Sequence, residues 1–153
     1  MKPYYILFFI FIISCKERRE LSIDNQTNKP IYYSYSPNSY LTEANRVGLF
    51  LSSKLDETVD TSYTNRIAPK SSTLVPHNAS WDEVITKLYG GRINFFFFSV
   101  DMLQRYSWEE IMKRNLYAKR QSYTVEELEK LKWIIIYPSN HEIPRVPRLI
   151  LKK

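Results

Sequence analysis

Ile93-Asn94-Phe95-Phe96-Phe97-Phe98-Ser99-Val100 is the stretch on which the fold turns. Four consecutive phenylalanines put rings on both sides of an extended backbone, because successive side chains of a strand point to opposite faces. A strand wetted on one face would alternate apolar and polar residues, so this one reads as a central strand covered on both faces. Trp133-Ile134-Ile135-Ile136-Tyr137 has the same continuous apolar character and is read in the same way.

Three helix starts flank these strands. Ser80 with Glu83, Ser107 with Glu110 and Thr124 with Glu127 each have the form of a capping box. In that motif the hydroxyl and the later carboxylate satisfy orphan backbone N–H groups. The first helix places Trp81, Val84, Ile85, Leu88 and Tyr89 on one face and stops at Gly90-Gly91. The second presents Trp108, Ile111 and Met112, and the third, over 125–131, turns Leu128 and Leu131 inward. Upstream, Leu21-Ser22-Ile23-Asp24-Asn25 and Ile31-Tyr32-Tyr33-Ser34-Tyr35-Ser36 both alternate. The turn cluster Gln26-Thr27-Asn28-Lys29-Pro30 between them predicts a hairpin with a longer loop. Residues 67–75, which include Pro69, and 116–123 read as edge strands. The expected fold class is α+β, with a mainly antiparallel or mixed sheet of about six strands and three short capped helices in one domain, 21–138.

The segment 37–66 is polar, lacks a sustained period and is long for a connection inside a compact domain, which marks it as a functional or disordered loop. Within it only Val47-Gly48-Leu49-Phe50-Leu51 has the character of a short strand or a plug over the core. After Pro138 the pattern is lost. Pro144 and Pro147 forbid regular helix, so 139–153 reads as a basic, flexible tail in which Leu149-Ile150-Leu151 is the segment able to dock.

Composition narrows the function classes. A hydrophobic content of 44% with 15% aromatics excludes general disorder, since such a chain buries enough apolar surface to offset its ordering entropy. Of the net charge of +6, Lys2 carries one. Arg145, Arg148, Lys152 and Lys153 against Glu142 carry +3, which leaves +2 for 16–138 with acids and bases mixed. A nucleic-acid module would gather its basic residues on one face among stacking aromatics, so no nucleic-acid partner is expected. Cys15 is the only cysteine, which excludes an internal disulfide, a cysteine metal site or a thiol nucleophile in the body.

At the amino terminus, Met1-Lys2 is followed by the apolar run Tyr4-Tyr5-Ile6-Leu7-Phe8-Phe9-Ile10-Phe11-Ile12-Ile13. That length suits the central region of a signal peptide, and is too short for a spanning helix, which needs about 20 apolar residues. Lys16-Glu17-Arg18-Arg19-Glu20 ends the run and reads as a solvated tether. Ile12-Ile13-Ser14-Cys15 resembles a lipobox, with two aliphatic residues, a small one and a cysteine at the cut. The resemblance implies removal of 1–14 as a helical signal peptide, thioether attachment of a diacylglycerol to Cys15, and acylation, as with palmitate, of the new amino group. The implied partner is a membrane, held through lipid on Cys15, and the implied address is the cell envelope at an outer membrane, on either its periplasmic or its outer face.

Further residues extend the likeness. In order they are the lipobox, Asn25-Gln26-Thr27-Asn28-Lys29-Pro30-Ile31-Tyr32, Ile67-Ala68-Pro69, the Phe-rich strand ending near Asp101, Tyr106-Ser107-Trp108-Glu109-Glu110-Ile111, and the segment from Glu126 to Pro138. Over roughly 15–138 the chain resembles a group of small lipoproteins of Bacteroidota-type bacteria with no assigned activity. The closing Leu-x-x-Leu-x-Trp…Tyr-Pro segment is the most specific part. The resemblance implies an envelope lipoprotein with one compact domain, and it carries over no catalytic residues.

No catalytic motif emerges. His77 and His141 are the only histidines and read as surface residues, with no metal-ligand spacing around them. Asp24-Asn25-Gln26-Thr27-Asn28 lacks the alternating acids and central glycine of a calcium loop and reads as a turn. Asn25-Gln26-Thr27 and Asn78-Ala79-Ser80 match glycosylation acceptors in form and are read as a turn and a helix cap. Glu109-Glu110 and Glu126-Glu127 are explained by capping and by the helix dipole. No Gly-x-Ser-x-Gly, Walker loop or His-Glu-x-x-His occurs, and neither cofactor nor metal is expected. Three candidates for ligand binding remain: Tyr40, Tyr63 and Asp101. Asp101 follows a buried strand, where it equally suits a helix start. Tyr40 and Tyr63 lie with Tyr32, Tyr33 and Tyr35 in or near the hairpin and the long loop, where tyrosines serve either as a sugar- or protein-binding surface or as sheet packing. The expectation is a non-enzymatic binding or scaffolding protein with a protein or glycan partner. The alternative is a small carboxylate-based hydrolase or carbohydrate-active enzyme.

Overall fold

A computed structural model of the chain describes residues 18–47 and 65–138. Strand β5 (Ile93–Ser99) lies at its centre, and all of its residues except Ser99 are buried. It pairs antiparallel with β2 (Ile31–Ser36) on one side and with β6 (Lys119–Tyr123) on the other. Beyond β2 the short β3 (Arg66–Ile67) completes a four-stranded sheet of order β3-β2-β5-β6. A second sheet has β1 (Ser22–Asn25) at its centre, between β4 (Ser71–Leu74), antiparallel, and β7 (Ile134–Tyr137), parallel.

The pleat of β5 divides its phenylalanines between two cores. Phe95 and Phe97 face the three-stranded sheet and join Ile23, Ile135, Leu21, Tyr33 and Trp81 in one cluster. Phe96 and Phe98 face the other way and join Tyr32, Leu41, Val47, Leu103, Trp108 and Ile111. The second cluster is roofed by α2 (Val100–Arg105) and α3 (Trp108–Arg114). The layers therefore run three-stranded sheet, four-stranded sheet, then α2 with α3. Edge-on ring contacts lock both interfaces, as between Tyr35 and Trp81 at 5.2 Å and between Phe98 and Trp108 at 5.8 Å. The fold class is α+β, with seven strands and four short helices among the described residues.

Several expectations need correction. The strands before and after the turn at 26–30 do not form a hairpin, because β1 and β2 belong to different sheets. The burial of β2 explains this: Tyr32 and Tyr33 are both buried, so it needs cover on two faces, whereas β1 buries only Ile23 and Asn25. The single edge strand expected over 67–75 is two edge strands, β3 and β4, in different sheets. Lys70, at φ 53°, marks the turn by which the chain passes from one sheet to the other. Strand β7 was expected at the centre of a sheet, yet it lies at an edge with Ile134 and Ile136 42% and 39% exposed, because no layer covers the outer face of its sheet among the described residues. Strand β6 is an edge strand, as read.

Helix α1 (Trp81–Glu83) continues as a π-helical turn over Val84–Leu88. The wider turn shifts the buried stripe, so Trp81, Val84 and Ile85 point inward and Leu88, expected on the same face, is 70% exposed. Gly90 and Gly91, at φ 65° and 87°, supply the left-handed residues that end it. The Ser80 capping box is not formed. The Ser80 hydroxyl donates to Asp82 Oδ1 at 2.5 Å and accepts from the Arg19 amide at 2.9 Å instead. The boxes at Ser107–Glu110 and Thr124–Glu127 are formed in full, the latter opening α4 (Val125–Lys130). Helix α2 is not among the three expected helices, although Asp101 in its first turn was read as equally suiting a helix start. Ser99 caps it by accepting from the Met102 amide. Of the 37–66 segment, the described part is less loop-like than its polarity implied. Leu41 and Val47 are buried, and a 3-10 turn at Glu43–Asn45 is tied to β2 by the Asn45 amide donating to the Tyr35 carbonyl at 2.9 Å. The signal segment, Cys15, the remainder of the plug at 48–51, Tyr63 and the tail after Pro138 lie outside the described residues.

Asn25 joins the two sheets. It is fully buried at the end of β1, and its Nδ2 donates to the carbonyls of Lys29 at 2.9 Å and Ala68 at 2.9 Å, with a longer bond to Ile67 at 3.3 Å. Its Oδ1 accepts from the Thr27 amide at 3.0 Å and the Thr27 hydroxyl at 2.7 Å. Asn25→Ala leaves these carbonyls short of donors in a buried setting, and is expected to lower unfolding free energy by about 2–3 kcal/mol in denaturant titration. Phe97→Ala opens a cavity against Phe95 and Tyr137, with an expected cost of about 3–5 kcal/mol in the same assay. Leu88→Ala, at an exposed site, should stay within about 0.5 kcal/mol of wild type.

Candidate functional site

The described chain begins by pinning itself to the body. The Trp81 amide donates to the Arg19 carbonyl at 3.3 Å, the Arg19 amide donates to Ser80 Oγ, and the Arg18 guanidinium donates to the His77 carbonyl. Residues 18–20 are exposed but docked, so the free solvated tether expected through Glu20 is already fixed by Arg18. Beside them opens a cleft of about 150 Å³ whose walls include Arg18, Arg19, Glu20, Leu74, His77 and Trp81.

The chemistry of this cleft is limited by what its polar atoms already do. The His77 ring lies against Trp81 with centroids 4.8 Å apart, and its Nδ1 accepts from the Ala79 amide at 3.1 Å. The nearby Ser80 hydroxyl is held between Arg19 and Asp82. The Trp81 indole donates to the Val75 carbonyl at 3.1 Å. A nucleophile–base pair needs a hydroxyl aimed at the imidazole, and these bonds direct Ser80 elsewhere. What the cleft offers is two guanidinium side chains beside apolar walls, with Glu20 among them. His77 is thus half-buried and built into the site, where the sequence read it as a simple surface residue. Nothing local announces this, because 59 positions separate Arg18 from His77.

The other candidates are not brought together. Tyr40 is 55% exposed in the bend after β2, and Asp101 is exposed in the first turn of α2. In the antiparallel pairing Ser36 stands opposite Asn94 and Ile31 opposite Ser99, so Tyr40 and Asp101 lie beyond opposite ends of β5. No group of three or more His, Cys, Asp or Glu side chains is placed to hold a metal ion among the described residues. Glu110 and Glu127 are committed to their caps, accepting from the amides of Ser107 at 3.0 Å and Thr124 at 2.8 Å. The Ser107 bonds hold the Glu110 carboxyl below the usual range, and bonds to the Glu126 amide and the Thr124 side chain do the same for Glu126. A general acid needs the opposite shift.

The tyrosines of β2 serve packing. Tyr32 and Tyr33 are buried, and Tyr35 is half-buried against Trp81 and Phe95. Burial raises the phenols of Tyr32, Tyr33, Tyr35, Tyr89 and Tyr137, and pushes Tyr123 up to about 12, with the Glu127 charge adding to it. In the unfolded chain each ionises near pH 10. Above that pH the unfolded state releases protons that the fold retains, so stability falls as pH rises through 10 toward 12. Tyrosinate absorbance should therefore titrate in two phases. Exposed phenols ionise first, and the buried set ionises together with loss of tertiary structure. A single phase near pH 10 in the folded protein would contradict the packing.

No helix among the described residues is long and apolar enough to cross a membrane. No family model, curated protein or solved structure matches the chain.

Proposed function

We propose that this chain is a lipid-anchored cell-envelope protein that works as a non-enzymatic binding or scaffolding module. The observation that carries the reading is the position of its only cysteine. Cys15 follows Ile12-Ile13-Ser14 at the end of a short apolar run, and stands three residues before Arg18, where the chain docks onto the body. Acyl chains on that sulfur and on the adjoining amino group account for a membrane address without a spanning helix. One chain gives only marginal binding at about 0.8 kcal/mol per buried CH₂, whereas two or three hold durably.

The non-enzymatic half is supported by how the candidate carboxylates and His77 are used. Glu110, Glu127 and Ser80 satisfy backbone or neighbouring groups, and the lowered carboxyls of Glu110 and Glu126 are poor proton donors. The segment 37–66, whose described part mixes buried Leu41 with exposed Tyr40, is the one we assign to a protein or glycan partner. In fractionated cells, wild type should sediment with membranes, resist salt extraction and dissolve in detergent, with a mature mass that includes the acyl chains. Cys15→Ala should lose the lipid mass and appear in the soluble fraction. A wild-type mature chain that is soluble, with its thiol free, would refute the reading.

A further inference from the structure

The three-stranded sheet has an apolar outer row at one end. Leu74 stands opposite Ser22 across one pairing, and Ser22 opposite Ile134 across the other, so the three residues form one line over β4, β1 and β7. Leu74 is 59% exposed and Ile134 42%. In the next outward-facing row Ile136 accompanies polar partners, Ser72 and Asp24, whose side chains are bonded to each other at 3.1 Å. The outer face thus grades from apolar at the Leu74 end to polar at the other.

The apolar end is also where the chain enters. Leu74 shares the walls of one cleft with Arg18, Arg19 and Glu20. The Ser22 amide donates to the Trp133 carbonyl at 3.0 Å, which puts exposed Lys132 at the same end. Arg18, Arg19 and Lys132, against Glu20, therefore lie at the same end of the sheet as the two exposed aliphatic side chains. Only two residues separate Cys15 from Arg18, and three extended residues span at most about 11 Å.

We propose that this end of the sheet docks on the bilayer that holds the anchor, with Leu74 and Ile134 entering the headgroup boundary and Arg18, Arg19 and Lys132 meeting anionic lipid phosphates. The proposal rests on lipidation of Cys15. Two features select a membrane as the occupant. The short link to Cys15 holds this end of the sheet near the bilayer without further binding energy, and apolar side chains with Lys and Arg at the same end suit an interfacial region. The docked body would stand with α2 and α3 farthest from the lipid, since the four-stranded sheet intervenes.

The test uses the full acylated chain in vesicles of phosphatidylcholine, with or without phosphatidylglycerol. With Cys15 in thioether linkage, Leu74→Cys, Ile134→Cys, Asp101→Cys and Glu109→Cys each give the molecule one free thiol for an environment-sensitive fluorophore. Docking predicts that probes at 74 and 134 are quenched several-fold more by nitroxide-bearing lipid than probes at 101 and 109. The excess should grow with phosphatidylglycerol and shrink in Arg18→Gln/Arg19→Gln, by about fivefold in docking equilibrium per charge removed. Equal lipid quenching at all four sites on an acylated chain would overturn docking and leave the anchor reading standing. Probes at 74 and 134 shielded from both lipid-borne and water-borne quenchers would also overturn it, pointing to a segment of the chain itself as the cover. A mature mass without acyl chains would overturn the anchor and the docking together.

Discussion

The structure depends on one constraint: β5 must keep four adjacent phenylalanines out of water, and they point alternately in two directions. A single layer satisfies only half of such a strand. Phe95 and Phe97 require the three-stranded sheet with Ile23 and Ile135, and Phe96 and Phe98 require α2 and α3 with Leu103, Trp108 and Ile111. Neither cover is optional, since a fully buried phenylalanine contributes about 1.5–3 kcal/mol relative to an exposed one. Every other element is placed by its distance from this strand. Strand β2, alongside it, is buried on both faces, while β4 and β7, at the margins of the outer sheet, leave Leu74, Ile134 and Ile136 in solvent.

Polar side chains do the joining that a small apolar core cannot. Asn25 draws the end of β1 to the β3–β4 connection and the turn at 26–30, so two sheets that share no strand are still held in register. Asn45 does the same for the segment that follows β2. The acidic residues at helix starts are part of the same pattern, with carboxylates committed to orphan amides.

How much of this was legible from the residues depended on whether the signal was local. The unbroken apolar run of β5 announced a doubly covered strand, and the capping boxes at Ser107 and Thr124 announced two helices, because each relies on neighbours within four positions. The identical spacing at Ser80 misled, since Arg19, distant in sequence, competes for the same hydroxyl. Strand β7 misled for a related reason: Ile134 and Ile136 are as apolar as a central strand demands, and only the tertiary arrangement shows their face uncovered among the described residues. Partner choice was the least legible feature. Alternation in 21–25 and 31–36 identified strands correctly, but a hairpin and a change of sheet share the same turn residues, and the burial of β2 on both faces decides between them. The cleft at Arg18, His77 and Trp81 was invisible for the same reason, being assembled from segments about sixty residues apart.

The pairing of β1 with β7 carries a temporal consequence. The first strand among the described residues lies beside the last, in parallel, with Ser22 opposite Ile134 and Asn25 opposite Tyr137. Its other neighbour, β4, is four residues long, and a two-stranded ribbon of that size is marginal in water. The outer sheet therefore cannot close until the chain has been made and released through Tyr137, and its nucleation bears the loop-closure entropy of more than a hundred residues. Until then the inner face of β5 lacks its cover, and the Phe-rich strand is the segment that a holding chaperone would have to shield.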